Sequence, residues 1–158
     1  MNKAAVLRKI VECLTSDLEL YLKAARAAHF EATHEQSKAE NKYDTRGLEA
    51  SYLARGQSRQ AAELELAVQQ FQRLSGSSWP DGRPADIGAL VELRSRRQSQ
   101  WYFLGPGAGG TEVEEDGHEV TVITPQSPLG RQLVGHRTGD AVQPLSEGKA
   151  AWTIHAIF

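Results

Sequence analysis

The sequence predicts an α+β protein: an N-terminal antiparallel α-helical coiled-coil hairpin, then a small antiparallel sheet domain with one short helix. Three observations predict it. Apolar residues in the first half recur in alternating steps of four and three, the period of a helix packed along a partner helix. That half, up to about Leu74, has no proline and little glycine. Beyond it the hydrophobic period shortens, between clusters of glycine, serine and proline.

The first seam reads Leu7, Val11, Leu14, Leu18, Tyr21, Ala25, Ala28 and Ala32. The second reads Ala50, Leu53, Gln57, Gln60 or Ala61, Leu64, Ala67, Phe71 and Leu74. Two such runs joined by a polar segment make an antiparallel hairpin. An arm of roughly 30 residues reaches about 45 Å at a rise of about 1.5 Å per residue. Both seams thin toward the tip, from leucine and phenylalanine to alanine and glutamine, so stability is expected at the base. Ser37 and Glu40 have the spacing of a capping box, which would start the second helix early. Asp44 or Thr45 would equally cap a helix beginning near Arg46, with Gly47 in its first turn. A turn around Asn41 to Thr45 is favoured. Either choice leaves Glu35, Glu40, Asp44 and Glu49 near the distal end.

Gly76 to Pro84 mark a linker, dividing a hairpin at 1–75 from a sheet domain at 85–158. Ala89–Ser95 and Gln100–Pro106 flank a basic turn and read as paired strands. His118–Pro125 alternates as a third strand, and segments at 140–145 and 150–158 supply two more. Between them lies a short helix: Ser127 caps it, Pro128 suits its first position, and Gly135 suits the residue beyond its end.

The formal net charge is -2, so there is no global pull toward nucleic acid or anionic membrane. One cysteine, Cys13, allows no internal disulfide and fits a reducing cytosol. Lys3, Arg8 and Lys9 break the N-terminal apolar run that a signal peptide needs, and nothing approaches a membrane span. A soluble cytoplasmic protein is expected.

The candidate functional residues each carry two readings. Asp44 is a helix cap or faces a metal or a partner; Glu40 and Glu49 are solvated positions or join it. Tyr43 and Tyr52 cover the seam end or present an aromatic ring to a partner. Arg94, Arg96 and Arg97 make a hydrated turn, or meet acidic protein or phosphate. The glycine-rich 105–110 lacks the Lys-Ser/Thr of a phosphate loop and reads as a flexible hairpin. Ser127 has no nucleophile-elbow context. His29 and His34 are five apart, the wrong spacing for two ligands on one helical face. Cys13 reads as a small buried hydrophobe.

Ile123 to Val142, followed by a terminal hydrophobic strand, resembles the Gre family of bacterial transcript cleavage factors. The resemblance lies in Ser127, Pro128, Gly130, Leu133, Gly135, Gly139 and Asp140, and in the order of hairpin before sheet domain. It implies an FKBP-like fold for 85–158 and RNA polymerase as partner. The sheet domain would dock at the rim of the secondary channel while the hairpin enters it. Polymerase contact would come from Tyr43 and Arg46 at the tip and from Ser127, Pro128, Leu129, Gly130 and Arg131. The tip carboxylates Asp44, Glu49 and Glu40 would assist cleavage of backtracked RNA, with Asp44 and Glu49 helping to hold a magnesium ion (Mg2+) shared with the polymerase. Such a factor has no cofactor of its own, is not itself an enzyme, contacts nascent RNA only indirectly, and is a monomer.

The sequence departs from the family pattern in places. Its key tip acids stand three residues apart in the family, whereas Asp44 and Glu49 are five apart. A rival alignment sets Glu40 and Asn41 on the family's Glu-Asn pair, near Tyr43. The glycine-rich 105–110 replaces a Glu-Ala-Asp. These features describe a divergent paralogue, and a non-cleaving occupant of the secondary channel is the alternative. Two other classes are a prolyl isomerase and a dimerising adaptor. An isomerase needs an aromatic-lined pocket, yet Trp101, Tyr102 and Phe103 are consecutive and alternate between sheet faces.

Overall fold

Asn2 starts the first helix by accepting a hydrogen bond from the Ala5 N–H on its side-chain oxygen, 3.2 Å. Helix α1 runs over Lys3–Thr33 and α2 over Arg46–Gln72 in a computed structural model that describes residues 1–33, 46–96, 98–143 and 152–158. The arms have 31 and 27 residues, close to the length expected. The expected seam is present, with one change of register. Ala50, Ala54 and Ala61 are buried on α2, whereas Leu53 is 54% exposed. Alanines at the seam leave the bulkier leucine on the flank.

Six strands follow: β1 Leu90–Arg94, β2 Ser99–Leu104, β3 Glu112–Glu115, β4 His118–Ile123, β5 Ala141–Val142 and β6 Trp152–Ile157, with α3 at Pro128–Leu133. Their order is β3-β4-β2-β1-β6-β5. The expected sheet was wholly antiparallel with about five strands. The observed one is mixed, because β2 and β4 pair in parallel. The chain leaves β2, passes out to the edge as β3 and returns as β4, using the dozen or more residues that a parallel connection requires. Asp116 and Gly117, both at positive φ (52° and 73°), form the two-residue turn between β3 and β4. The segment 105–110 is thus part of the crossover, not a hairpin. Main-chain hydrogen bonds hold it, Gly105 N–H to Ile123 at 2.9 Å and Gly110 N–H to Val122 at 2.8 Å.

By contact, Met1–Cys13 and Gln69–Phe158 form one compact unit and Leu14–Val68 another. In the first unit both sheet faces are covered. Val91, Leu93, Leu104, Ile123 and Ile154 pack with Leu129 and Leu133 of α3. The alternate residues Leu90, Phe103, Val120 and Val122 are fully buried, and the Phe71 ring lies 5.9 Å from that of Phe103. Consecutive aromatics of β2 divide as the pleat requires: Tyr102 joins the α3-side core while Trp101 packs on His118 and Phe158. Lys9 pairs with Glu115 at 2.7 Å and the N-terminal amine with Asp116 at 3.5 Å, tying the start of α1 to the β3–β4 turn. Trp79 of the linker lies between two cations, Lys3 at 5.0 Å and Arg83 at 4.4 Å from its ring. Among the described residues no helix is long and apolar enough to cross a membrane.

Among the described residues Glu92 of β1 is the buried carboxylate of the sheet, 6% exposed. It accepts from Ser99 Oγ at 2.6 Å and Arg94 Nη2 at 2.7 Å. Burial pushes its pKa up, but the Ser99 and Arg94 hydrogen bonds and the charges of Arg94 and His155 outweigh this, leaving it below the ordinary glutamate value.

Two predictions follow from this packing. Phe71→Ala removes a fully buried ring and should cost about 3–5 kcal/mol in urea unfolding, against a few tenths for Gln72→Ala. Because Glu92 is more acidic folded than unfolded, its contribution is present above the unfolded pKa and is lost as pH falls through the folded one. Glu92→Gln should therefore be less stable than the parent at neutral pH, and the gap should narrow as pH falls below 4.5. A gap independent of pH would show that the carboxylate charge is not what matters.

Candidate functional site

The residues singled out in the sequence fall in two places. At the distal end of the hairpin, Glu40, Tyr43 and Asp44 lie outside the described residues, as does His34. Arg46 opens α2, with Gly47 in its first turn, where a helix capped from Asp44 or Thr45 would begin. Glu49 is the acidic residue of that turn and is exposed. A carboxylate there also complements the positive end of the helix dipole. Three residues on, Tyr52 is 67% exposed, and Leu48 58%. Tyr52 therefore does not cover the seam.

Among the described residues no group of three or more His, Cys, Asp or Glu is placed to hold a metal. Glu49 alone does not make a magnesium site, so no chemical step is assigned to a metal held by the described residues. Cys13 is half-buried, and His29 is exposed on α1.

The second place is α3 and its exit. Ser127 Oγ accepts from the Gly130 N–H at 3.0 Å and donates to the Thr124 carbonyl at 2.8 Å. Pro128 occupies the first turn, where its missing N–H costs nothing. A Cβ built on Gly130 would stand 1.9 Å from the Thr124 carbonyl oxygen, so this turn of helix lies too close to the link that follows β4 for any side chain. Beyond the helix the chain turns at Gly135, φ 83°, whose N–H donates to Ala85 at 2.9 Å. Gly139 and Asp140 lock the next turn. Asp140 Oδ2 accepts from the Arg137 N–H at 2.7 Å, and Gly139 N–H donates to Ile154 of β6 at 2.8 Å.

Each motif residue thus has a folding role. Leu129 and Gly130 are buried, Ser127 is half-buried, and Pro128 and Arg131 are exposed. Of the basic turn, Arg94 is engaged with Glu92, Arg96 is exposed, and Arg97 lies outside the described residues.

Neither a protein-family model nor a curated protein matches the chain. Among solved structures it is similar to GreA factor homolog 1 (Gfh1) of Thermus thermophilus, with 22% identity, 94% of each chain covered and a TM-score of 0.36. It is also similar to Thermus aquaticus Gfh1, with 23% identity, 92% of each chain covered and a TM-score of 0.38.

Removing the cap hydroxyl in Ser127→Ala should cost about 1 kcal/mol. Gly130→Ala should cost more, about 1–3 kcal/mol, because the backbone itself must shift. Denaturant titration of both variants checks the order; Gly130→Ala at or below the cost of Ser127→Ala would contradict the close approach.

Proposed function

We propose that this chain is an accessory factor of RNA polymerase whose helical hairpin enters the secondary channel and modulates elongation. The observation that carries the reading is the Ser127-to-Asp140 segment. It folds as the family resemblance implies, with capping serine, first-turn proline, close-packed glycine and Gly-Asp turn, and it follows a two-helix hairpin in the same order. Of the α3 residues expected to meet the polymerase, Pro128 and Arg131 are the exposed ones, and direct contact falls to them.

On this reading Asp44, Glu49 and Glu40 act at the hairpin tip inside the polymerase, and any RNA cleavage belongs to the polymerase active site. Glu49 is exposed there. A second reading, occupancy of the channel without cleavage, is favoured by one observation: Asp44 and Glu49 are five residues apart where the family's pair is three. A channel occupant needs a tip that fits but no metal ligands in register.

One assay separates the two. The protein is added to a stalled, backtracked elongation complex, and binding and RNA length are followed together. Shortening that disappears in Asp44→Ala or Glu49→Ala establishes assisted cleavage. Binding with no shortening establishes occupancy, and absence of binding removes both.

A further inference from the structure

The unit Leu14–Val68 carries an open groove of about 660 Å³ along one flank of its seam. Its floor is apolar. Ala25 and Ala54 are buried seam residues, and Leu22 stands 39% exposed beside them. Its rim is basic, with Arg26 and His29 from α1 and Arg55 from α2. At about 100° per residue, Leu22, Arg26 and His29 on α1, and Arg55 on α2, lie some 50–130° round from the alanine seam on the same side. Glu31 and Glu49 fall on the other flank by the same count, while Glu19, seven residues before Arg26, lies outside the groove lining on the arginine stripe.

Two other exposed arginines of the helices are paired: Arg59 with Glu63 at 3.0 Å, and Arg8 with Glu12 at 4.0 Å. Among the described residues neither Arg26 nor Arg55 makes a salt bridge or a side-chain hydrogen bond. Two unpaired guanidinium groups therefore stand over an apolar floor.

We infer that this groove receives an acidic amphipathic helix of a partner protein, an inference independent of the polymerase reading. The valley between two antiparallel helices joined by small residues accepts the side-chain ridge of a third. From Leu22 to Thr33 it runs about 16 Å, three turns of helix. Apolar side chains of the incoming helix, spaced three and four apart, cover Leu22, Ala25 and Ala54. Its carboxylates reach Arg26 and Arg55, whose planar forks bind carboxylate in bidentate fashion. The apolar floor selects a protein helix over a nucleic-acid strand, whose backbone would leave that surface unused.

The test uses the full chain and a labelled, end-blocked helical peptide of about 18 residues. The peptide has leucine at positions spaced three and four apart and glutamate on the flanks. A matched peptide carries glutamine for glutamate. Fluorescence anisotropy should show saturable binding of the acidic peptide. Affinity should fall at least tenfold in Leu22→Glu and in Arg26→Glu combined with Arg55→Glu, and stay unchanged in Arg59→Glu. Arg26→Gln with Arg55→Gln keeps the comparison if the double charge reversal loses helicity by circular dichroism. No saturable binding, equal binding of the glutamine peptide, or equal loss in Arg59→Glu would overturn the inference. So would displacement of the peptide by single-stranded RNA that binds more tightly through the same arginines, which would assign the groove to nucleic acid.

Discussion

The contact between Phe71 and Phe103 joins the last turn of α2 to the middle of the sheet, and the helical arms take their stability from that end. An alanine seam buries little area per residue, and helices of 31 and 27 residues gain most of their stability from packing and little from propensity. Among the described residues the large, fully buried side chains of the two arms are Val6, Ile10, Leu14 and Phe71; Val6, Ile10 and Phe71 belong to the compact unit that holds the sheet. Farther along, burial passes to Ala25, Ala28, Ala50 and Ala54. The Lys9–Glu115 and N-terminus–Asp116 pairs add to the same root, though each is partly exposed and so contributes modestly.

Much of this was legible in the residues. The four-and-three spacing marked both helices, and the Ser127, Pro128 and Gly135 signals placed α3. Five strands, β1, β2, β4, β5 and β6, are legible as short apolar runs between turn residues. β3 was missed because Glu112–Glu115 holds a single valine among three glutamates, a composition that does not read as a strand. Asp116-Gly117 was the signal that could have found it. Parallel pairing of β2 with β4 was not readable at all, since alternation has the same period in either direction. Leu53 falls on the seam by its step of three from Ala50, but the buried position is Ala54, a step of four from Ala50.

The candidate site was legible to different depths. A helix start near Arg46 is one of two readings that the turn residues allow, and α2 begins there with Glu49 exposed in its first turn. The groove beside the seam was not foreseen, because Leu22, Arg26 and Arg55 belong to no motif and meet only when two distant segments pack. At α3 the motif proved to be mainly about folding: its serine, proline and glycines satisfy a cap, a first turn and a close approach. The surface it leaves is small, Pro128 and Arg131, on a rigid support.

Among the described residues β3 pairs with a strand on one side only, its other side meeting Lys9, whose Nζ donates to the Glu114 carbonyl, and such an edge is a template on which further strands can add. Its sequence guards against this. Glu112 and Glu114 are exposed on that strand, and Glu114 sits directly across from Glu119 of β4. Like charges opposite one another weaken the ladder slightly. They also line the edge with like charges, which disfavours pairing with a second copy of the same strand. The composition that hid β3 from a pattern search is the same one that keeps its edge solitary.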